Sequence, residues 1–92
     1  MGFAEKLKSI RIERGYTQKY MYTKLGISPN GYASYEQGRT EPNIDTIKKI
    51  CMILDISSDY LFGLENDDGT KITEYEFEYQ HNGTKLKHKE KK

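Results

Sequence analysis

The sequence predicts a mainly α-helical fold, five short helices followed by a C-terminal β-hairpin or strand extension, and three observations predict it. Apolar residues recur at helical spacing between Phe3 and Leu64, in clusters too short for long helices. Residues that cap helices precede these clusters (Thr17, Ser28-Pro29, Asn43, Ser57), and Gly15, Gly26, Gly38, Asp55 and Gly63 follow them. After Leu64 the pattern changes to an alternation of period two that leads into Asn82-Gly83. Ninety-two residues support one core of this kind and not two.

Phe3, Leu7, Ile10 and the stem of Arg11 lie on one helical face, and that helix should end near Arg14, before Gly15. Thr17 can accept a hydrogen bond from the first turn of a second helix, whose inner face is the i, i+4 pair Met21 and Leu25. Gly26 can take the left-handed conformation that a sharp turn requires, and Ile27 should bury itself in that turn. Ser28 caps a third helix with Pro29 at its first position, where a missing N–H costs nothing. It should run to about Gln37, with Tyr32 and Tyr35 on one side and Asn30, Ser34 and Gln37 on the other. Asn43 caps a fourth helix with an apolar stripe of Ile44, Ile47, Cys51 and Leu54, and Asp55 should end it in the left-handed region. Ser57 begins a short fifth helix carrying Tyr60, Leu61 and Phe62.

Beyond Leu64 three regions are expected: a folded unit over 1–64, a polar linker over 65–70 and the strand extension over 71–92. Residues 72–79 alternate and are rich in aromatic and β-branched side chains, which favours a strand. With Asn82-Gly83 as the turn, Glu78 faces Lys87, Glu76 faces Lys89 and Glu74 faces Lys91, while Tyr75, Phe77, Tyr79 and Leu86 share the other face. A lone two-stranded ribbon is marginal in water, so this aromatic face is expected to be covered by a second chain. Tyr75, Phe77, Tyr79 and Leu86 are therefore the expected dimerisation residues of a homodimer.

Composition narrows the function. The longest uninterrupted apolar run, residues 50–54, is far short of the ~20 residues that span a bilayer, so no membrane association is expected. The N-terminus enters a charged amphipathic pattern at once and Cys51 is the single cysteine, which fits a cytoplasmic protein without disulfides. Cys51 falls on the apolar stripe and reads as core, and His81 and His88 lack the companion ligands of a zinc site, so neither a metal nor a cofactor is expected. No nucleophile, base and orienting group are arranged for catalysis, and no glycine-rich phosphate loop is present; an enzyme is not expected. Residues 1–64 hold nine Lys and Arg against seven acids, and residues 65–92 hold six Lys against seven acids. That is a modest excess for a polyanion binder, effective only where the positive charges share a face.

The run Thr17-Gln18-x-x-Met21-x-x-x-Leu25-Gly26-Ile27-Ser28, then Tyr32, Tyr35-Glu36-x-Gly38, Glu41-Pro42 and Asp59-Tyr60-Leu61-Phe62-Gly63, resembles the helix-turn-helix domain of phage Cro and C1-type repressors, the XRE family. The resemblance extends from about Phe3 to Leu64. It implies a five-helix lambda-repressor-like DNA-binding domain, and hence a sequence-specific regulator of transcription that binds double-stranded operator DNA as a dimeric, phage-type repressor, with helix 3 in the major groove. Physics agrees: two helices joined by a tight turn cross at a large angle, and a supported, exposed second helix fits the groove where base pairs are distinguishable.

By this resemblance Gln18 contacts the DNA backbone, Ser28, Pro29, Asn30 and Ser34 face the bases, and Gln37 and Arg39 touch phosphate. Arg11 and Glu36 match a buried structural ion pair between helices 1 and 3. The chain also departs from the family pattern. Pro29 and Gly31 offer no side-chain hydrogen bonds, so direct readout falls on Asn30 and Ser34, and DNA shape takes a larger share. Tyr22 stands where the family usually has alanine, so Gly31 or an adjusted helix crossing is expected to make room for it. The other reading is a protein-interaction module, with the aromatic hairpin capturing a protein partner and DNA contact secondary.

Overall fold

The structure, a computed structural model, describes residues 2–82. Its helices are α1 (Phe3–Glu13), α2 (Gln18–Leu25), α3 (Pro29–Gln37), α4 (Ile44–Leu54), α5 (Ser58–Leu61) and α6 (Glu74–Asn82). The capping chemistry explains α2 to α5. Thr17, Ser28, Asn43 and Ser57 each accept a hydrogen bond from the backbone N–H three residues on, at 2.8–3.0 Å. Gly26 (φ 71°) and Gly38 (φ 77°) end α2 and α3 in the left-handed region, and Asp55 (φ 56°) does the same for α4.

Leu7, Ile10, Met21, Leu25, Tyr32, Ile50, Leu54 and Leu61 form the core, drawn from α1 to α5. Full burial of one such aliphatic side chain contributes roughly 1.5–3 kcal/mol. α3 packs on α1 and α2, α4 packs on α2 and α5, and α5 on α1. The inner face of α4 is rotated from the expected stripe: Ile44 is 71% exposed, and Ile50 is fully buried beside Leu54. Ile44 is the first helical residue after the cap and stands beyond the edge of the core, so the seam runs through Ile47, Ile50, Cys51 and Leu54. Phe62 follows α5 as its cap residue, half-exposed, with its ring tilted against Phe3 at a centroid distance of 6.3 Å.

The expected β-hairpin is not supported. Residues 74–82 are helical, and among the described residues the β-geometry is an isolated antiparallel bridge between Glu65 and Lys71. A capping box accounts for the difference. Thr73 Oγ1 accepts from the Glu76 N–H at 3.1 Å while the Glu76 carboxylate accepts from the Thr73 N–H at 2.9 Å. Glu74 and Glu76 also place negative charge in the first turn, where the helix dipole favours it. The signal Thr73-x-x-Glu76 stood inside the alternating segment and outweighs its period. Gly83, Leu86 and the lysines assigned to the second strand lie outside the described residues. Residues 65–70, expected as a linker, form a turn tied to the end of the helical unit: Ser57 donates to Glu65 at 2.6 Å, Tyr60 to Asp67 at 3.2 Å, and Lys71 pairs with Asp59 at 3.0 Å.

Candidate nucleic-acid interface

The site is built on α2, the turn at Gly26 and α3. Met21 and Leu25 hold α2 to the core, and Tyr32 and Glu36 hold α3, so the opposite sides of both helices face outward. Thr17, Lys19, Ser28, Pro29, Asn30, Gln37 and Arg39 are exposed, and Ser34 is partly so. The Ser28 hydroxyl is taken by the α3 cap. Ring contacts and hydrogen bonds leave the Asn30, Ser34, Gln37 and Arg39 side chains unengaged among the described residues.

Charge sorts itself along this segment. Between Thr17 and Thr40 the only acid is Glu36, and it is buried in a pair with Arg11. Every exposed charge there, on Lys19, Lys24 and Arg39, is positive. The modest excess over residues 1–64 is thus gathered on the helix-turn-helix side. Two basic residues elsewhere are engaged: Arg14 donates from Nε to the Leu54 carbonyl at 2.7 Å, at the C-terminal end of α4, and the Lys6 ammonium lies 4.0 Å from the Tyr60 ring centroid. The Arg14 clasp was not found from sequence, because its partner is forty residues away.

One buried network supports the interface. Arg11 Nε donates to Glu36 Oε2 at 2.6 Å and Arg11 Nη2 to Oε1 at 3.1 Å, while Arg11 Nη1 donates to the Tyr16 carbonyl at 2.8 Å. Gln18 Nε2 also donates to Glu36 Oε1, at 3.0 Å. Burial alone would push the Glu36 carboxyl up, but Arg11 first, then the neighbouring Tyr32 hydroxyl and the Gln18 amide, outweigh it and hold the group below the ordinary range. The Glu36 carboxylate in turn raises Arg11 above the ordinary guanidinium. The hydroxyl of Tyr32, fully buried beside this pair, makes no hydrogen bond of acceptable geometry. Burial first, then the Glu36 carboxylate, pushes its phenol strongly up.

Of the residues expected at the interface, Asn30, Ser34, Gln37 and Arg39 present free side chains on or next to α3, and Gln18 joins the buried network instead of standing free. Tyr22 is half-buried against the core. Gly31 does not make room for it: a Cβ there would meet the Ser28 hydroxyl at 3.0 Å, so the absent side chain accommodates the α3 cap. Cys51 is partly buried against the core, and that burial pushes its thiol up. Among the described residues no group of His, Cys, Asp and Glu could hold a metal ion, and no helix is long and apolar enough to cross a membrane.

Comparison with known proteins agrees with this geometry. Residues 7–61 match the helix-turn-helix family model. Over 59 residues the chain is 44% identical to an SPbeta prophage-derived uncharacterized HTH-type transcriptional regulator, YonR, of Bacillus subtilis strain 168, covering 64% of this chain and 55% of that one. The chain spans about half the length of the curated relatives it matches. Among solved structures, the restriction-modification controller protein C.AhdI from Aeromonas hydrophila superposes with a TM-score of 0.61 at 25% identity, covering 65% of this chain and 91% of that one. The master regulator for biofilm formation SinR, solved in complex with DNA, superposes with a TM-score of 0.59 at 27% identity, over 64% of this chain and 95% of that one.

Proposed function

Because this chain belongs to the helix-turn-helix family of XRE, Cro/C1 type, we propose that it is a sequence-specific double-stranded DNA-binding transcriptional regulator, a dimeric repressor of phage or prophage type. The observation that carries the reading is the outer side of α2 and α3, where unengaged Asn30, Ser34 and Gln37 are flanked by exposed Lys19 and Arg39 with no exposed acid between Thr17 and Thr40. Such a surface can enter a major groove without repelling phosphate. The names of the prophage-derived relative and of the SinR complex with DNA support the same direction.

In this reading α3 lies in the major groove. The Asn30 amide pairs with a base edge, adenine being its best geometric match, and the Ser34 hydroxyl makes a second, less selective contact. Arg39, Gln37, Lys19 and Gln18 engage phosphates, which sets register and orientation without reading sequence. Ser28 and Pro29 contribute shape at the start of α3. Two copies then occupy half-sites roughly 34–36 Å apart and exclude transcription from the promoter they cover. Within the chain, residues 1–64 are the DNA-binding unit, 65–70 the connection, and 71–92 the dimerisation element, with Tyr75, Phe77 and Tyr79 exposed on α6 and Leu86 following it in sequence.

The test is selection from a pool of random duplexes at moderate salt, followed by sequencing, with an Asn30→Ala/Ser34→Ala variant in parallel. The expected outcome is an enriched two-fold symmetric site that the variant no longer selects. Equal enrichment by both proteins would remove α3 from the reading role, and no enrichment by either would overturn the DNA-binding function.

A further inference from the structure

We propose that Glu36, although buried, is a positioning residue for DNA binding and acts through Gln18, its carboxylate taking one N–H of the Gln18 amide so that the other is aimed at a backbone phosphate. The inference rests on the DNA-binding reading above and adds a residue that touches no DNA itself.

The geometry is specific. Glu36 is 8% exposed and its two oxygens serve two partners: Oε2 accepts from Arg11 Nε at 2.6 Å, and Oε1 accepts from Arg11 Nη2 at 3.1 Å and from Gln18 Nε2 at 3.0 Å. The carboxylate cannot turn without breaking the fork to Arg11, so the position it offers Gln18 is fixed. Arg11 is fixed in turn by the Tyr16 carbonyl at 2.8 Å, one residue before the cap of α2. The first residue of α2 is thereby tied to α1, to the turn before it and to α3.

The chemistry of an amide makes this tie directional. A carboxamide has two N–H donors on one nitrogen, whereas a phosphate only accepts. With one N–H committed to the Glu36 carboxylate, the second remains for an anion outside, and the NH2 group bridges two anions that would otherwise repel. Gln18 is half-buried and opens α2, an eight-residue helix with no acid in its first turn. A free glutamine side chain loses much rotamer freedom when it is immobilised by a ligand. Here that ordering has already occurred in the folded protein, so less of it is left to oppose binding.

A double-mutant cycle on the full chain tests the proposal, with the duplex selected by the wild-type protein as probe. Gln18→Ala, Glu36→Met, which leaves Gln18 no carboxylate or amide oxygen to donate to, and the double variant are titrated with it, and each is melted to establish the folded fraction. Expected is an affinity loss of about tenfold for each single variant and about tenfold, not about a hundredfold, for the double, because both remove the same contact. The Gln18 side-chain amide of the wild-type protein gives a second readout by nuclear magnetic resonance: one of its two protons is expected to be protected from exchange before duplex is added. This measurement needs no folded Glu36 variant. Losses that multiply, full affinity in Glu36→Met, or two freely exchanging amide protons would each overturn the positioning role while wild-type binding stands. Absence of wild-type binding to any duplex would overturn the DNA-binding reading and this inference together.

Discussion

Tyr32 carries its ring and its hydroxyl into the core, and only the ring finds partners: it is fully buried, in an edge-on contact with Tyr35 at 6.2 Å. A buried hydroxyl without a hydrogen bond costs about 1–3 kcal/mol, whereas phenylalanine fills nearly the same space. Tyr32→Phe is therefore expected to leave stability unchanged or to raise it by about 1 kcal/mol, read by urea denaturation; a loss of more than that would mean the hydroxyl contributes favourably beside Glu36. Glu36 itself sets a pH dependence. Its carboxyl is held below the ordinary range in the folded chain, so its contribution is complete above the unfolded value and is lost as pH falls through the folded one. Thermal melts of the wild-type protein should weaken below about pH 4.5, the ordinary glutamate value. Glu36→Gln should be less stable near neutrality and flatter on acidification; an equally steep acid limb in both proteins would assign the pH dependence to other carboxyls. Removing one partner of such a buried pair costs about 3–5 kcal/mol when it strands the other charge, here Arg11.

At the scale of elements, the first five helices follow from rules that act within a few residues, and α6 shows where two such rules compete. Period-two alternation over residues 72–79 favours a strand, while the Thr73–Glu76 capping box and the acidic first turn favour a helix. A strand needs a partner to satisfy its backbone, but a helix satisfies its own, so the helical choice prevails where the described residues offer no neighbouring strand. Tyr75 and Tyr79 remain about half exposed on α6, one turn apart. The element is thus available for an interface without being required by the core. Deleting residues 66–92 is expected to leave a folded domain whose mass in analytical ultracentrifugation is that of a monomer, with weakened binding to the selected duplex. A truncated dimer would place the interface elsewhere, for which exposed Ile44, Met52 and Phe62 on α4 and after α5 are the apolar residues at hand.

Across the whole molecule, what matters is where charge and apolar surface are spent. The caps at Thr17, Ser28, Asn43 and Ser57, the left-handed residues at Gly26, Gly38 and Asp55, and the outward position of Asn30 and Ser34 were legible along the chain, because each depends on neighbours within one helical turn. The helix-turn-helix resemblance was legible for the same reason, being a set of short-range spacings. The Arg11–Glu36 pair was implied by that resemblance and not by local spacing. Other features depend on residues far apart in sequence, and these became visible only once the helices had packed. They are the Gln18 hydrogen bond to Glu36, the Arg14 clasp on the end of α4, the burial of Ile50 in place of Ile44, and the stranded hydroxyl of Tyr32. Local rules set helix ends to within a turn, but the rotation of each helix against its neighbours is a property of the whole core. That rotation decides which polar atoms meet and which are left exposed to a ligand.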